Sequence, residues 1–328
     1  MTELPIDIDD VHAAAAQIAG VAVVTPLLEN AALNRMLGGR LLIKAEPLQR
    51  TGSFKFRGAY NHISRLGAAE RRQGVIAYSS GNHAQGVAAA ASLCETPATI
   101  IMPDDAPAVK REGTLAWGAK VVSYARSAGE RREEVAEALL AERPLTLVRP
   151  FDDPLIMAGQ GTVGLELMRQ AEAMNASVDQ VLVPCGGGGL TSGVATAVKG
   201  LSAGTAVHGV EPQGWDDTAR SLAGGQRQEA DGSGSNLCDA LLSPAPGELT
   251  FAVNRALCAA GMVVDDAEVA HAMRMAFLHL KLVAEPGGAV ALAAALSGKL
   301  ETAGRTTVAV ISGGNVDPGL FQRILELS

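Results

Sequence analysis

Short runs of β-branched residues alternate with alanine-rich stretches along most of this 328-residue chain. The alanine-rich stretches predict helices at 82–94, 127–142, 158–174 and 266–282. The β-branched runs predict buried strands at 40–46, 74–80, 98–103, 119–124, 180–185, 206–212 and 307–312. Strands that alternate with helices in this way form a parallel, doubly wound sheet with helices on both faces, so the sequence predicts an α/β fold.

The overall charge of the chain restricts the class of partner. A formal net charge of −8 argues against a general affinity for nucleic acid or anionic membranes, and a small metabolite is the expected partner. The acidic N-terminus lacks the features of a signal peptide, and no apolar run is long enough to span a bilayer, so we expect a cytoplasmic protein. Four separated cysteines are expected to be free thiols: Cys94, Cys185, Cys238 and Cys258.

Four consecutive glycines, Gly186–Gly189, lie between a predicted strand and a predicted helix. Glycine lets backbone N–H groups approach an anion closely, and a helix N-terminus favours negative charge, so this loop predicts a phosphate site. A P-loop is excluded because no Gly-Lys-Ser/Thr follows. A dinucleotide site is weakly supported: Glu211 has the position of a ribose-binding acid, but Thr191 and Ser192 stand where GxGxxG needs its third glycine.

Two further loops follow predicted strands, where open α/β sheets bind ligands. In the first loop, residues 79–83, the backbone amides and the polar side chains suit a carboxylate at a helix start. A simple N-cap would use the same residue types. The second begins with Ser312, in the sequence SGGN. The residues of the first loop are Ser79, Ser80, Gly81, Asn82 and His83.

Lys55 lies between Phe54 and Phe56, in a chain with only six phenylalanines. An apolar wall disfavours the ammonium form, as a lysine that attacks a carbonyl requires. A buried structural lysine is the alternative. Together with the phosphate and carboxylate loops, Lys55 suggests pyridoxal phosphate (PLP): the lysine holds the aldehyde as a Schiff base, and the ring acts as an electron sink.

The motifs GSFKFRGA, SSGNHAQGVA, PFDDPLIMAGQGT, PCGGGGLTSG and ISGGNVD resemble those of the serine/threonine dehydratase and serine racemase family. The resemblance covers nearly the whole chain. It implies fold type II of the PLP enzymes (tryptophan synthase beta-like), with two doubly wound open-sheet domains. The large domain would comprise 1–71 and 151–328, the small domain 72–150, and the cofactor would lie in the cleft between them. The family resemblance also implies a homodimer.

The same resemblance implies roles for individual residues. Lys55 would be the Schiff-base lysine, Phe54 would pack against the ring, and Gly186–Gly189 would bind the phosphate. Asn82 would bond the phenolic oxygen, and Ser312 would face the pyridine nitrogen. A serine hydroxyl bonds a neutral nitrogen but cannot hold a pyridinium as a carboxylate would, which favours β-elimination over transamination.

The implied activity is a dehydratase (ammonia-lyase) that converts L-threonine, L-serine or 3-hydroxyaspartate to a 2-oxo acid and ammonia. The alternatives are a serine or aspartate racemase with side dehydratase activity, in which Ser80 would exchange the Cα proton, and a non-catalytic PLP-binding regulatory protein. Ala240 stands where the family often has a glycine near the substrate. Glu285 matches a family glutamate on the nitrogen side of the ring, although a helix-boundary role fits equally.

The segment VEPQGWDD suggests a metal site, again by resemblance. In similar members of the family, a divalent cation is bound through a glutamate, a carbonyl and an aspartate, which here are Glu211, Trp215 and Asp217. Such hard oxygen ligands suit Mg²⁺ or Ca²⁺. A solvated acidic turn is the alternative. The chain ends at Ser328, before the regulatory domain appended to biosynthetic threonine deaminases, so feedback through such a domain is not expected.

Overall fold

The computed structural model of the chain describes residues 4–79, 81–106 and 108–326. In this part of the chain ten strands form two sheets. The strands are β1 (Leu27–Glu29), β2 (Arg40–Ala45), β3 (Val75–Tyr78), β4 (Ala98–Pro103), β5 (Lys120–Tyr124), β6 (Thr146–Leu147), β7 (Gln180–Pro184), β8 (Ala206–Pro212), β9 (Ala260–Val264) and β10 (Thr306–Ile311).

Helices connect the strands. In chain order they are α1 (Ile8–Ile18), α2 (Ala31–Leu37), α3 (Lys55–Ile63), α4 (Ala68–Gln73), α5 (Asn82–Leu93), α6 (Ala108–Ala116), α7 (Arg132–Glu142), α8 (Pro154–Ala173), α9 (Gly189–Leu201), α10 (Asp217–Gly224), α11 (Glu248–Leu257), α12 (Asp266–Met275), α13 (Pro286–Leu296) and α14 (Pro318–Glu326). A π-helical turn, Ala276–Leu280, continues α12.

The larger sheet has six strands in the order β1-β2-β10-β7-β8-β9, all parallel except for the antiparallel edge strand β1. Its central strands β7 and β10 are buried almost throughout, because helices cover both faces of the sheet. The alanine-rich helix α13 is buried from Pro286 to Ala295 against one face, and the valines of α9 pack against the other. This arrangement confirms the predicted doubly wound α/β fold.

The smaller sheet is parallel, with the order β5-β4-β3-β6. Its four strands lie between Val75 and Leu147, inside the range 72–150 that the sequence predicts for the small domain. Helix α5 packs on this sheet through a row of buried alanines. The exact domain boundaries stay a prediction.

The predicted strands are all present, with ends that shift by no more than two residues. The short strands β1, β6 and β9 were not predicted. The predicted helix 127–142 is interrupted near its start: Arg126–Ala128 forms a short 3-10 helix, Gly129 has a positive φ of 83°, and α7 begins at Arg132. The predicted helix 266–282 is α-helical only to Met275.

A buried ionic network fixes the start of α3. The Arg57 guanidinium donates to both Glu46 oxygens at 2.8 Å and to Glu166 at 2.6 and 2.8 Å. Lys44 Nζ completes the network with a 2.6 Å contact to Glu166. Burial alone would raise the pKa of the Glu46 carboxyl, but the charge and hydrogen bonds of Arg57 outweigh it and leave that pKa below its ordinary value. The network anchors α3 two residues beyond Lys55.

Candidate active site

A cleft of about 840 Å³ is lined by loops from both sheets. These loops follow β3, β7 and β10, at the carboxyl ends of the strands, where open α/β sheets bind ligands. Ser80 lies outside the described residues. The cleft brings together the other residues predicted to bind cofactor or substrate, which are Phe54, Lys55, Ser79, Gly81, Asn82, His83, Gly186–Gly189 and Ser312.

Lys55 is the first residue of α3, and its Nζ reaches into the cleft. Nζ donates a 2.7 Å hydrogen bond to the Pro150 carbonyl oxygen and lies 5.2 Å from the centroid of the Phe54 ring. Burial lowers the pKa of Lys55 to about 8. The backbone of this turn is joined to the end of β10, since the Phe54 N–H donates to the Ser312 carbonyl at 3.1 Å. With a pKa of about 8, about one tenth of the Lys55 amine is neutral at pH 7, far more than for an ordinary lysine.

The second phenylalanine beside Lys55 does not line the cleft. Phe56 is completely buried in the core of the smaller sheet and stacks on Tyr60 with a centroid separation of 5.7 Å. Residues two apart on a helix face different sides. The interpretation of both phenylalanines as the wall around Lys55 is therefore wrong for Phe56, and Phe54 alone has that position.

The glycine loop forms a cradle that only glycine permits. Gly188 has φ +93°, in the left-handed region, and Gly189 begins α9. A Cβ atom on Gly187 would lie 2.4 Å from the Phe151 ring, and one on Gly188 would lie 2.9 Å from Thr250 Oγ1. The N-terminal N–H groups of the 13-residue helix α9 start at this loop. Such a cradle fits the phosphate of PLP.

A polar cluster surrounds the side chain of Asn82, which lines the cleft. Asn82 begins α5, and its amide donates to Glu285 at 2.5 Å and accepts from Asn315 at 2.8 Å. These two contacts fix the orientation of the Asn82 amide. Glu285 Oε2 is buried and has no protein partner, and burial raises the pKa of Glu285 to about 7. Glu285 directly precedes α13 and is not among the residues that line the cleft, so its implied position beside the ring nitrogen stays a prediction.

Comparison with known proteins identifies the family. The family described as "Pyridoxal-phosphate dependent enzyme" matches residues 18–313. The chain belongs to this family. It is 40% identical to the L-threo-3-hydroxyaspartate ammonia-lyase of a Pseudomonas species, over 97% of this chain and 98% of that one. It is also 40% identical to the L-threonine ammonia-lyase of Thermotoga maritima, over 98% of this chain and 78% of that one.

Solved structures give the same result for the fold of this PLP-dependent enzyme. The crystal structure of a threonine deaminase from T.th. superposes with a TM-score of 0.89 at 43% identity, covering 95% of this chain and 99% of that one. Maize serine racemase gives a TM-score of 0.91 at 37% identity, over 97% and 96% of the two chains. The predicted resemblance and the fold type II architecture are confirmed, and so is PLP as the cofactor.

His83 has a defined structural contact in the PLP enzyme. Its Nε2 lies 2.9 Å from the Val148 carbonyl, so Nε2 carries the proton and donates. Burial lowers the pKa of His83 to about 3, with the charge of Lys55 as a second cause, and the ring is neutral at physiological pH. The side chain therefore fixes the segment at Val148. The predicted substrate contact through the His83 backbone is compatible with this geometry.

The structure adds residues to the cleft that the sequence did not indicate. Lys110 on α6 forms an ion pair with Asp239 across the cleft. The Pro150 carbonyl, which orients Lys55, is a backbone group and leaves no side-chain signal in the sequence. Arg149 also lines the cleft. It directly precedes the motif PFDDPLIMAGQGT, and neither its charge nor its position marked it as a cleft residue.

The three proposed metal-binding residues lie outside the cleft lining. Both Glu211 oxygens accept amide hydrogen bonds, from Thr218 at 3.0 Å and Ala219 at 2.7 Å. Both Asp217 carboxylate oxygens are buried without a protein partner, and burial raises the Asp217 pKa to about 7. Burial and the nearby Asp217 charge also raise the Glu211 pKa. Among the described residues, no three His, Cys, Asp or Glu side chains form a metal-binding group.

Two simpler predictions concern the cysteines and the membrane. The four cysteines are free, as expected. In the described part of the chain, no helix has the length and apolar character to cross a membrane.

Proposed function

We propose that this PLP-dependent enzyme is an ammonia-lyase that converts a β-hydroxy amino acid to a 2-oxo acid and ammonia. The observation that carries the proposal is Lys55, whose pKa of about 8 and whose position place a partly neutral amine in a cleft with a phosphate cradle. The names of the relatives support the same reaction type. They include both hydroxyaspartate and threonine ammonia-lyases, and so they leave the side chain of the substrate open.

The residues that would hold the cofactor surround Lys55. Gly186–Gly189 suit the phosphate, Phe54 would flank the ring, and Ser312 would supply a hydroxyl for the ring nitrogen. Bound PLP would supply an electron sink for the charge that develops at the substrate Cα. The Ser312 hydroxyl would bond a neutral nitrogen without a compensating negative charge. This would limit the sink and favour loss of a β-leaving group over transamination.

Lys55 moves the proton in this proposal. Its neutral Nζ takes the Cα proton, and the Pro150 carbonyl at 2.7 Å orients Nζ for that transfer. The β-hydroxyl leaves, so the substrate loses the elements of water. Water then replaces the amino group, and a 2-oxo acid and ammonia are released. The neutral His83 adds no positive charge beside Nζ, so it does not oppose the protonation of Lys55.

The start of α5 would orient the substrate. Gly81 precedes the helix, and its N–H donates to Ser79 Oγ at 3.1 Å, which shapes the loop. The first N–H groups of a 12-residue helix suit the α-carboxylate of an amino acid. Gly86, one turn further, allows α5 to approach α3, since a Cβ atom there would lie 3.0 Å from the Lys55 carbonyl carbon. The carboxylate site and the proton-transferring amine are thus held close together.

We also propose that Glu211, Asp217 and the Trp215 carbonyl hold Mg²⁺ or Ca²⁺ in a structural role. The unpartnered, buried Asp217 oxygens support this proposal, because buried carboxylates need a partner or a cation. The remaining lone pairs of Glu211 would complete the ligand set. The family resemblance supports two further proposals, namely a homodimer and a small domain at 72–150. We also propose a cytoplasmic location, which the four free cysteines support.

The test is release of 2-oxo acid from L-serine, L-threonine and the stereoisomers of 3-hydroxyaspartate, with PLP and Mg²⁺ present. We expect turnover of at least one substrate and its loss in Lys55→Ala, together with loss of the visible absorbance of lysine-bound cofactor. Lys120→Ala, which removes an exposed lysine of β5, is the matched control. Bound cofactor without oxo acid from any substrate would refute the lyase, and chiral analysis of the recovered amino acids would then test racemisation.

A further inference from the structure

Cationic side chains are concentrated in the cleft of an otherwise acidic protein. Among the described residues, five Lys and Arg and three Asp and Glu line the cleft, whereas the whole chain carries a formal charge of −8. Bound PLP would engage Lys55, and its phosphate would add negative charge. A preference for an anionic substrate group must therefore come from an individual unpaired cation and not from the net charge of the cleft.

Four of the five cations already have partners. Arg149 is exposed and makes no hydrogen bond or ion pair within the described part of the chain. Arg149 is therefore the cleft cation that is available to a ligand. The partnered cations are Lys110 with Asp239, Arg227 with Glu248, Arg132 with Glu133, and Lys55 with the Pro150 carbonyl.

The acids in the same segment do not neutralise Arg149. Asp152 accepts hydrogen bonds from three backbone N–H groups at the start of α11, at 2.9 to 3.1 Å. Asp153 caps α8 by accepting from the Ile156 N–H at 3.0 Å, and it lies 3.7 Å from His62 Nε2. Both carboxylates are committed to helix N-termini, which leaves the guanidinium with its full charge.

The backbone of Arg149 is fixed beside the reacting group. The preceding residue, Val148, receives the hydrogen bond from His83, and the following residue, Pro150, receives the one from Lys55 Nζ. Consecutive Cα atoms are about 3.8 Å apart, so Arg149 starts close to both the α5 loop and the lysine. A substrate whose Cα lies at Lys55 would carry its β-substituent within this neighbourhood.

We propose that Arg149 binds a second carboxylate, attached to the β-carbon, so that the enzyme prefers 3-hydroxyaspartate to L-serine and L-threonine. This inference rests on the proposed function. Arginine holds a carboxylate with two parallel hydrogen bonds, which a methyl group or hydrogen at the same position cannot accept. The α-carboxylate occupies the start of α5, and the β-carboxylate occupies Arg149.

The first test compares kcat/KM for L-serine with that for the 3-hydroxyaspartate stereoisomer that the wild type converts fastest. In Arg149→Met, the ratio of hydroxyaspartate to serine kcat/KM should fall about 10- to 100-fold, the range for a charged hydrogen-bonded pair. Arg132→Met is the matched control, because that arginine lines the same cleft but is already paired. An unchanged ratio in Arg149→Met, or an equal fall in the control, would overturn the inference.

Binding measurements separate this inference from the proposed function. Succinate, titrated calorimetrically into the PLP-loaded protein, should bind the wild type at least tenfold more tightly than Arg149→Met, and butyrate should show no such difference. If the wild type makes no oxo acid, the lyase fails while the succinate result still decides the role of Arg149. Equal succinate affinity, or a tenfold loss of PLP affinity in Arg149→Met, would show that Arg149 does not serve a second carboxylate.

Discussion

The lowered pKa of Lys55 predicts that this residue costs the cofactor-free protein stability below pH 8. The folded pKa is about 8, against an ordinary value of 10.5. Between these values the unfolded chain binds more protons at this site than the folded protein does. The free energy of unfolding therefore rises with pH from about 8 to 10.5, and the penalty from a charged Lys55 is present in full below that range.

The size of the change in the free energy of unfolding follows from the size of the Lys55 pKa shift. One pKa unit corresponds to about 1.4 kcal/mol, so the shift of Lys55 would be worth about 3 kcal/mol in a dry site. Lys55 is partly accessible from the cleft, and water there screens the charge, which reduces our expectation to about 2 kcal/mol. Lys55→Met removes this titration. It also removes the hydrogen bond to Pro150, which shifts the stability by an amount that does not depend on pH.

The measurement is urea unfolding of the cofactor-free wild type and Lys55→Met at pH 7, 9 and 10.5. Other groups titrate equally in both proteins, so the difference between the two free energies isolates Lys55. We expect wild type to gain about 2 kcal/mol relative to Lys55→Met from pH 7 to pH 10.5. A constant difference across the series would show that the folded protein holds a fully charged lysine, and the reasoning about Lys55 would be wrong.

Three further predictions concern the cradle, the ionic network and the metal. Gly188→Ala should cost about 2 to 3 kcal/mol in urea unfolding and weaken PLP affinity, because of its positive φ and its contact with Thr250; unchanged affinity would argue against the cradle. Arg57→Met should cost about 3 to 5 kcal/mol, and adding Glu46→Gln should restore part of it by balancing the remaining buried charges; a larger loss in the double variant would contradict this. Mg²⁺ should raise the melting temperature of the wild type but not of Asp217→Asn, and an equal rise in both would exclude Asp217 as a ligand.

Much of the fold could be predicted because its signals are local. Strands β4 and β8 both contain β-branched residues and are largely buried, and their bounds match the prediction. Strand β9 was missed because it is only partly buried and begins with Ala260 and Gly261, so its pairing with β8 rather than its composition makes it a strand. Strand β6 consists of two residues. These elements depend on tertiary contacts that composition does not encode.

The part of the candidate site that is built from loops after strands could be predicted from the sequence. Parallel strands bring their carboxyl ends to one edge, so the glycine loop, the α5 loop and Ser312 were expected together. The contacts between distant side chains could not be predicted. Lys55 meets Pro150, 95 residues away, and Lys110 meets Asp239, 129 residues away. The role of Phe56 was misassigned because the helix was not known to begin at Lys55, and that start turns Phe56 away from the cleft.

The physical cause of the lowered Lys55 pKa determines which other charged groups the cleft needs. Burial alone lowers this pKa, and no neighbouring cation is needed to do so. The other cations of the cleft are therefore not needed to lower the Lys55 pKa. Three of them are paired with acids, and Arg149 has no partner in the described part of the chain. A dicarboxylic substrate bound at Arg149 would bring negative charge near Nζ and raise the Lys55 pKa. The backbone carbonyl of Pro150 holds Nζ without adding a charge, so Lys55 loses its proton more readily than it would beside a carboxylate.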